Sequence, residues 1–233
     1  MVISRRLQAI LNQLHCSSLA DIGSDHAYIP ISACQRGIIQ SAIAVDISRG
    51  SLNKAEKNIR SAGLSDRIET RLGYGLDSIA PGEVECLVIS GMGGLLIRDI
   101  LMQGLFVVDA SKQLALQPQT DAPALRAALH GMGLAIADEQ MVLEDGKFYN
   151  IINCAKGPDD DYTPADIAFG RILIKRKDLS LKMHLAALIE EDEKALEAAS
   201  TPSKTLFNKP RRLSRLNELN KKIAMEREVL RCL

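Results

Sequence analysis

Short apolar runs alternate with segments of helical periodicity along the first two thirds of the chain. The runs predict five strands, near residues 18–22, 41–46, 68–72, 86–90 and 112–117. Apolar positions at helical spacing predict the helices between them, at 27–36, 49–62, 121–130 and one ending near 101. A further helix begins after Ser4, which is a good N-cap.

Two strand-like runs within 135–155 flank Glu144-Asp145-Gly146-Lys147. They predict a hairpin, because Asp-Gly favours a tight turn. Strands that alternate with helices and end in a hairpin indicate an α/β fold. We expect a doubly wound, Rossmann-like sheet with an antiparallel edge.

The pattern changes after a polar linker at 156–161, and the remaining chain is predicted to be wholly helical. Apolar residues recur there seven apart, in two series: Ile167, Ile174, Leu181 and Leu188, then Leu216, Ile223 and Leu230. A loop at Thr201-Pro202-Ser203 separates the series, so they predict two helices in an antiparallel coiled-coil hairpin. We therefore expect two domains, 1–157 and 162–233.

Composition narrows the class of protein. Of the 233 residues, 46% are hydrophobic and 25% charged, as in soluble globular proteins. The apolar runs are too short to span a bilayer and no signal core follows Met1, so we expect a cytoplasmic protein without a membrane partner. No two of the five cysteines have C-x-x-C spacing, and the four histidines are scattered, so the sequence indicates no metal site.

Charge is uneven along the chain. Residues 1–160 carry 14 Lys and Arg against 18 Asp and Glu, whereas residues 161–233 carry 15 against 11. Any attraction for nucleic acid therefore falls in the C-terminal third. The cations proposed there as phosphate contacts are Arg171, Lys175, Arg176, Arg211 and Arg212. A solvated coiled-coil face is the alternative interpretation.

Carboxylates end two neighbouring strands of the predicted sheet. Asp21 is followed by Gly23, which lets the backbone approach a ligand closely, and Asp46 can accept hydrogen bonds from both hydroxyls of a ribose. The sequence contains neither G-x-G-x-x-G nor a P-loop, so nothing is built to hold a pyrophosphate or triphosphate. A nucleoside ligand without phosphates points to S-adenosylmethionine.

Ligands of open α/β sheets bind beyond the carboxyl ends of the strands. The cofactor-binding candidates at those ends are Asp21, Gly23, Ser24, Asp46, Ile47, Gly73, Tyr74, Gly75, Leu76, Ser90, Gly91 and Met92. Asp21 suits the amino group of the methyl donor, and Gly73-Tyr74-Gly75 suits its adenine. Gly93 has no side chain and leaves room for an incoming base.

The sequence resembles the bacterial tRNA (adenine(22)-N1)-methyltransferase family. The resemblance lies in D-I-G-S-D-H-A-Y and G-M-G-G, within the matching segments 4–7, 20–30, 73–76, 91–94, 116–118 and 146–149. It implies a class I methyltransferase fold, a C-terminal coiled coil, and methylation of N1 of an adenine in the D-arm of tRNA. It adds Gln117 and Gln119 to the substrate side, although the chain departs from the family pattern at Tyr74 and Gln119.

The implied chemistry needs positioning more than a base, because N1 of adenine carries an in-plane lone pair. Asp25, His26 and Tyr28 are the candidates near the transferred methyl, in catalytic or positioning roles. The alternatives are methylation of another RNA, a small molecule or a protein, and a non-catalytic module that binds nucleoside or RNA. We expect a monomer or a weak homodimer.

Overall fold

The computed structural model describes residues 3–200 and 209–233, with the backbone alone for 209–212. The chain divides between Asp161 and Tyr162 into two compact units. The division falls within the polar stretch that follows the last predicted strand. No helix in the described part of the chain is long and apolar enough to cross a membrane.

One sheet runs through the first unit. Its strands are β1 (Ser18–Ile22), β2 (Ser41–Asp46), β3 (Ile68–Leu72), β4 (Cys86–Met92), β5 (Gln113–Pro118), β6 (Leu134–Glu144) and β7 (Lys147–Lys156). Their order is β3-β2-β1-β4-β5-β7-β6, and the first five strands are parallel. β7 joins β5 and β6 antiparallel, which confirms the predicted doubly wound sheet with a hairpin at one edge.

Helices of the first unit lie between these strands. They are α1 (Arg5–Asn12), α2 (Tyr28–Gln35), α3 (Arg49–Ser61), α4 (Gly94–Gln103), α5 (Leu105–Ala110) and α6 (Ala122–Gly131). Ser4 caps α1 by accepting a hydrogen bond from the amide of Leu7, as its position predicts. The sequence prediction missed α5, which begins after Gly104.

The core of the first unit explains why its strand ends form a site. Leu87, Val88 and Ile89 in central β4 are fully buried, as expected for a strand covered on both faces. The apolar run of each parallel strand ends at the same edge of the sheet. That edge is where Asp46 and Gly91 emerge from β2 and β4.

The second unit is helical, but its first half is not the single helix that was predicted. It contains α7 (Pro164–Phe169), α8 (Arg171–Arg176), α9 (Leu179–Ser200) and α10 (Lys209–Cys232). Gly170, with a φ of 92°, and Lys177, with a φ of 53°, end the first two helices. The predicted interruption at 201–203 lies outside the described residues.

α9 and α10 pack against each other, which confirms the predicted C-terminal helix pair. Leu181 and Ile223 of the two heptad series are buried in this unit. Ile167 and Ile174 instead belong to α7 and α8, so the first series spans three helices. A seven-residue repeat can therefore continue across helix breaks while only part of it lies in the hairpin.

Candidate active site

A cavity of about 290 Å³ opens at the carboxyl ends of the parallel strands. Nine of the predicted cofactor-binding residues line it: Gly23, Asp46, Ile47, Gly73, Tyr74, Gly75, Ser90, Gly91 and Met92. They come from the ends of β1, β2, β3 and β4, and the sheet topology brings them together. The cavity therefore lies where the alternation of strands and helices predicts a ligand site.

Three apolar lining residues were not predicted. Ile22 is the last residue of β1, and Leu96 and Ile100 lie one helical turn apart on α4. Their i, i+4 spacing directly after the glycine-rich turn is the signal that could have identified the last two. Together they give the cavity an apolar wall.

The turn after β1 is held against β2 by its backbone. The amides of Gly23 and Ser24 both donate to the carbonyl oxygen of Val45, at 2.8 and 2.9 Å. Gly23 has a φ of 80°, and a Cβ added there would lie 2.3 Å from Cε of Met92. A side chain at position 23 would therefore displace Met92 within the cavity, so this floor is built for close approach of a ligand.

Asp21 lies behind the cavity rather than in its lining. Its side chain is buried and accepts a hydrogen bond of 2.5 Å from Oγ of Ser24, which is buried as well. Burial, opposed by that hydrogen bond and reinforced by the charge of Asp46, raises the pKa of Asp21 to about 6. A cationic group next to the turn would therefore stabilise the ionised form. Leu76 also belongs to the buried core.

Asp46 is the carboxylate that lines the cavity. Its Oδ1 accepts a hydrogen bond of 2.7 Å from the amide of Ser48, which fixes the side chain at the start of α3. Beside it lie two large apolar residues that are exposed to solvent, Ile47 (68% exposed) and Tyr74 (47% exposed). A carboxylate next to exposed flat and apolar groups suits a nucleoside, with the ribose hydroxyls on Asp46 and the base against Tyr74.

The candidates for the transferred methyl lie elsewhere in this structure. The rings of His26 and Tyr28 stack at 5.0 Å with 5° between their planes, and both line a separate groove beside α3. Asp25 lies 3.2 Å from Nζ of Lys54 and 3.2 Å from Nε2 of His26. Hydrogen bonds from Ser51 and Lys54 and the charges of His26 and Lys54 lower the pKa of Asp25. A role for these three residues at the methyl stays a prediction.

Comparison with known proteins supports a methyltransferase. Residues 3–152 match the model of a methyltransferase domain family. The tRNA (adenine(22)-N(1))-methyltransferase of Bacillus subtilis is 31% identical over 234 residues, covering 98% of this chain and 97% of that protein. The chain belongs to the tRNA (adenine(22)-N1)-methyltransferase family.

Solved structures of the family agree over nearly the whole chain. The B. subtilis M1A22 tRNA methyltransferase superimposes with a TM-score of 0.87 at 30% identity, covering 98% of this chain and 99% of that one. Sp1610 of Streptococcus pneumoniae, in complex with S-adenosyl-L-methionine, gives 0.87 at 33% identity, covering 98% and 100%. The resemblance predicted from the motifs is confirmed, and so is the methyltransferase fold.

The turn after β4 contains Gly93, and it lies beside Gln119; both residues were predicted to lie on the acceptor side. A bulge between Ser90 and Met92 interrupts the pairing with β5. The amide of Gln119 donates to the carbonyl oxygen of Met92 at 2.8 Å, and its side chain is exposed. Gly93 lies beside Thr120, whose Oγ1 is 3.2 Å from where a Cβ at 93 would be. Gly93 and Gln119 are therefore adjacent, at the open end of β5.

Gln117 was also predicted to lie on the substrate side, and that role stays a prediction. It is fully buried, its Oε1 accepts from the amide of Gly91 at 3.2 Å, and its Nε2 donates to the carbonyl oxygen of Pro118 at 2.9 Å. The oxygen and the nitrogen of the Gln117 side chain therefore both form hydrogen bonds with backbone groups. In this structure the side chain shapes the turn at Gly91, and it is not exposed to a substrate.

The cations of the second unit that were predicted to contact phosphate differ in their surroundings. The guanidinium of Arg171 lies 4.0 Å from the ring centre of Tyr162 and 3.7 Å from Asp166, so it stabilises the start of the unit. Lys175 and Arg176 are exposed in the last turn of α8. The side chains of Arg211 and Arg212 lie outside the described residues. Over the described chain, no three His, Cys, Asp or Glu residues form a metal-binding group.

Proposed function

We propose that this protein transfers the methyl group of S-adenosylmethionine to N1 of adenine 22 in tRNA. The observation that carries the proposal is the match over 98% of the chain, both units included, to a tRNA (adenine(22)-N(1))-methyltransferase. The structure of a relative in complex with S-adenosyl-L-methionine supports the choice of donor. The relatives act in tRNA modification, so we place the reaction in the bacterial cytoplasm.

The cavity residues fit this donor. Asp46 would accept hydrogen bonds from the ribose hydroxyls, and Tyr74 and Ile47 would flank the adenine. Asp21 would face the donor's ammonium group with its charge, with Gly23 allowing the ligand to approach the turn. When bound, S-adenosylmethionine supplies an electrophilic methyl on a sulfonium.

The acceptor side fits a flat base. Gly91 and Gly93 leave the turn after β4 without bulky side chains, and Gln117 fixes the backbone of that turn. Exposed Gln119 would contact the edge of the base. N1 of adenine attacks through an in-plane lone pair, so these residues act by orienting the base in line with the methyl group. Extrusion of the base from a folded tRNA costs a few kcal/mol, which contacts to the rest of the tRNA must offset.

Charge in the second unit supports a polyanionic substrate. Residues 161–233 carry four more cations than anions, and Lys175 and Arg176 are exposed. We assign these cations to phosphate contacts. We propose a monomer or weak homodimer as the working form.

The test is methyl transfer from labelled S-adenosylmethionine to two tRNA transcripts that differ only in A22 or G22. We expect incorporation into the A22 transcript and a loss of at least about 100-fold in the G22 transcript, because N1 of guanine carries a hydrogen and lacks the in-plane lone pair. Equal incorporation into both would place the methyl on another nucleotide. Binding of S-adenosylmethionine without transfer to either would favour a non-catalytic module or a different substrate.

A further inference from the structure

A second concave surface lies beside α2 and α3, on residues that do not line the strand-end cavity. It is a groove of about 520 Å³, and the residues that line it are His26, Tyr28, Ile31, Gln35, Asn58, Ser61 and Ala62. Among the described residues, the two concavities share no lining residue. The groove therefore needs an explanation of its own.

An ordered pair of aromatic rings stands in this groove. His26 and Tyr28 stack nearly parallel, at 5.0 Å and 5°. Nδ2 of Asn58 donates to the carbonyl oxygen of His26 at 3.1 Å, and Asp25 lies against the imidazole. The pair is thus fixed from two sides, while Tyr28 remains 38% exposed. A fixed, partly open aromatic ring is a surface onto which another flat group can stack.

The segment of chain that carries the groove has a net positive charge, although the rest of the first unit is acidic. Residues 25–67 carry six Lys and Arg against four Asp and Glu, whereas the remainder of residues 1–160 carries eight against fourteen. Lys54 lies one helical turn before Asn58, and Lys57 lies one turn before Ser61, which also lines the groove. Both lysines are exposed, so α3 carries positive charge within one helical turn of the groove's lining residues.

Not all of this charge is available to a ligand. Lys54 lies 3.2 Å from Asp25, and Arg60 lies 3.9 Å from Glu56. Lys57, on the same helix, is exposed beside the groove. Gln35 adds an exposed amide at the opposite wall, a group that can bond the edge of a base. The groove is therefore lined by an aromatic ring of Tyr28 and an amide of Gln35, and its α3 side carries the exposed cation Lys57.

We propose that this groove binds a nucleotide of the RNA substrate other than the one that is methylated, with its base stacked on Tyr28 and its phosphate near Lys57. The inference rests on the proposed function, because it takes tRNA as the substrate. An unstacked nucleotide of a folded RNA supplies both a free base face and a phosphate, which the groove's chemistry matches. Such a contact would help to offset the cost of extruding the target base.

The test measures binding of full-length protein to an unmodified tRNA transcript as a function of salt. Lys57→Glu is the main variant. The matched control is Lys147→Glu, at an exposed lysine that is the first residue of β7. We expect Lys57→Glu to raise the Kd for tRNA roughly 5- to 20-fold, and Lys57→Ala to lower the salt slope by about one. Tyr28→Leu should raise the Kd by about 5-fold or more, whereas Tyr28→Phe retains binding.

The outcomes separate this inference from the proposed function. Affinity for S-adenosylmethionine should be unchanged in Lys57→Glu, because Lys57 does not line the cavity. If wild-type protein methylates tRNA and Lys57→Glu binds tRNA as well as Lys147→Glu does, the groove proposal is overturned and the proposed function stands. If wild-type protein neither binds nor methylates tRNA, the proposed function and this inference fall together. Lys57 is exposed, so the test does not depend on whether Tyr28→Leu folds.

Discussion

The strand ends of the first unit and the helix pair of the second unit each bury a carboxyl group, but they surround it differently. Asp21 accepts a hydrogen bond from Ser24, and burial raises its pKa to about 6. Glu226 is fully buried on α10, where burial and the carboxylate of Asp192 raise its pKa to about 7. Nζ of Lys222 opposes that rise, at 2.7 Å from Asp192 and 3.7 Å from Glu226.

The comparison shows that a buried acid can contribute either to ligand binding or to the pH dependence of stability. Asp21 lies behind a cavity, so the charge that would stabilise it can be brought by a ligand. Glu226 lies in a helical unit within 3.7 Å of Nζ of Lys222, and His184 and Glu191 lie near that lysine. The first acid is therefore suited to ligand binding, whereas the second makes the stability of its own unit depend on pH.

We expect the largest loss of stability from a change at another buried acid, Glu139, which forms a buried ion pair with Arg126. Nε of Arg126 lies 2.7 Å from Oε1 of Glu139, and both side chains are 1% exposed. Arg126→Ala would leave the carboxylate buried without its cation, so we expect a loss of about 3–5 kcal/mol in the free energy of unfolding. Urea unfolding measures it. Arg98→Ala, which breaks an exposed pair with Asp99, is the control, and a loss no larger than its value would contradict the account.

The second largest effect is expected at Gly94, which lies in close contact with the backbone of Asp121. A Cβ at Gly94 would lie 2.6 Å from the carbonyl oxygen of Asp121, whereas one at Gly131 would meet nothing within 4 Å. We expect Gly94→Ala to cost about 1–3 kcal/mol in stability, because α4 must move away from the loop between β5 and α6, and to slow methyl transfer more than it weakens cofactor binding. Gly131→Ala should behave as wild type. Equal activity of the two variants would show that the turn tolerates displacement.

The pH dependence of cofactor affinity tests the role given to Asp21. Ionised Asp21 would attract the donor's ammonium group, so affinity for S-adenosylmethionine should rise as the pH increases through about 6. Asp21→Asn should lower affinity by roughly 10-fold at pH 7.5 and flatten the profile between pH 5 and 7.5. Calorimetric titration measures both. Identical profiles for wild type and Asp21→Asn would remove this residue from the cofactor site.

The smallest effect is expected in the second unit. The folded-state pKa of Glu226, about 7, exceeds its ordinary value of 4.5, so its stabilising contribution is present below pH 4.5 and is lost as the pH rises through 7. Glu226→Gln should remove this loss and raise stability by about 1 kcal/mol at pH 8, with little change at pH 5. Thermal unfolding at the two pH values measures it, with exposed Glu228→Gln as the control. Equal shifts at both values would argue against titration of Glu226.

Much of the fold follows from the sequence pattern because a buried parallel strand needs an apolar run. β1, β2 and β3 have the predicted bounds. The helix breaks in the second unit are harder to predict, because Lys177 adopts a positive φ that its residue type does not favour. α5 was missed because its apolar run, with Phe106 85% exposed, lacks the polar face that marks a surface helix.

The site could be predicted as far as topology determines it. Asp46 and Gly91 had to lie together, since parallel strands end at one edge. The positions of His26 and Tyr28 could not be derived in this way. Ala27, between them, adopts a left-handed conformation with a φ of 55°, and the rings on either side of it line the α2–α3 groove. Side-chain direction beyond such a turn depends on local backbone geometry that residue spacing does not encode.

The most direct test of the central claim is nucleoside mass spectrometry of a tRNA transcript after reaction with the protein and S-adenosylmethionine. Nuclease fragments would locate the modified nucleotide. We expect N1-methyladenosine at position 22 and at no other adenine. N6-methyladenosine, methylation at another position, or unmodified tRNA from a protein that binds the cofactor would contradict it.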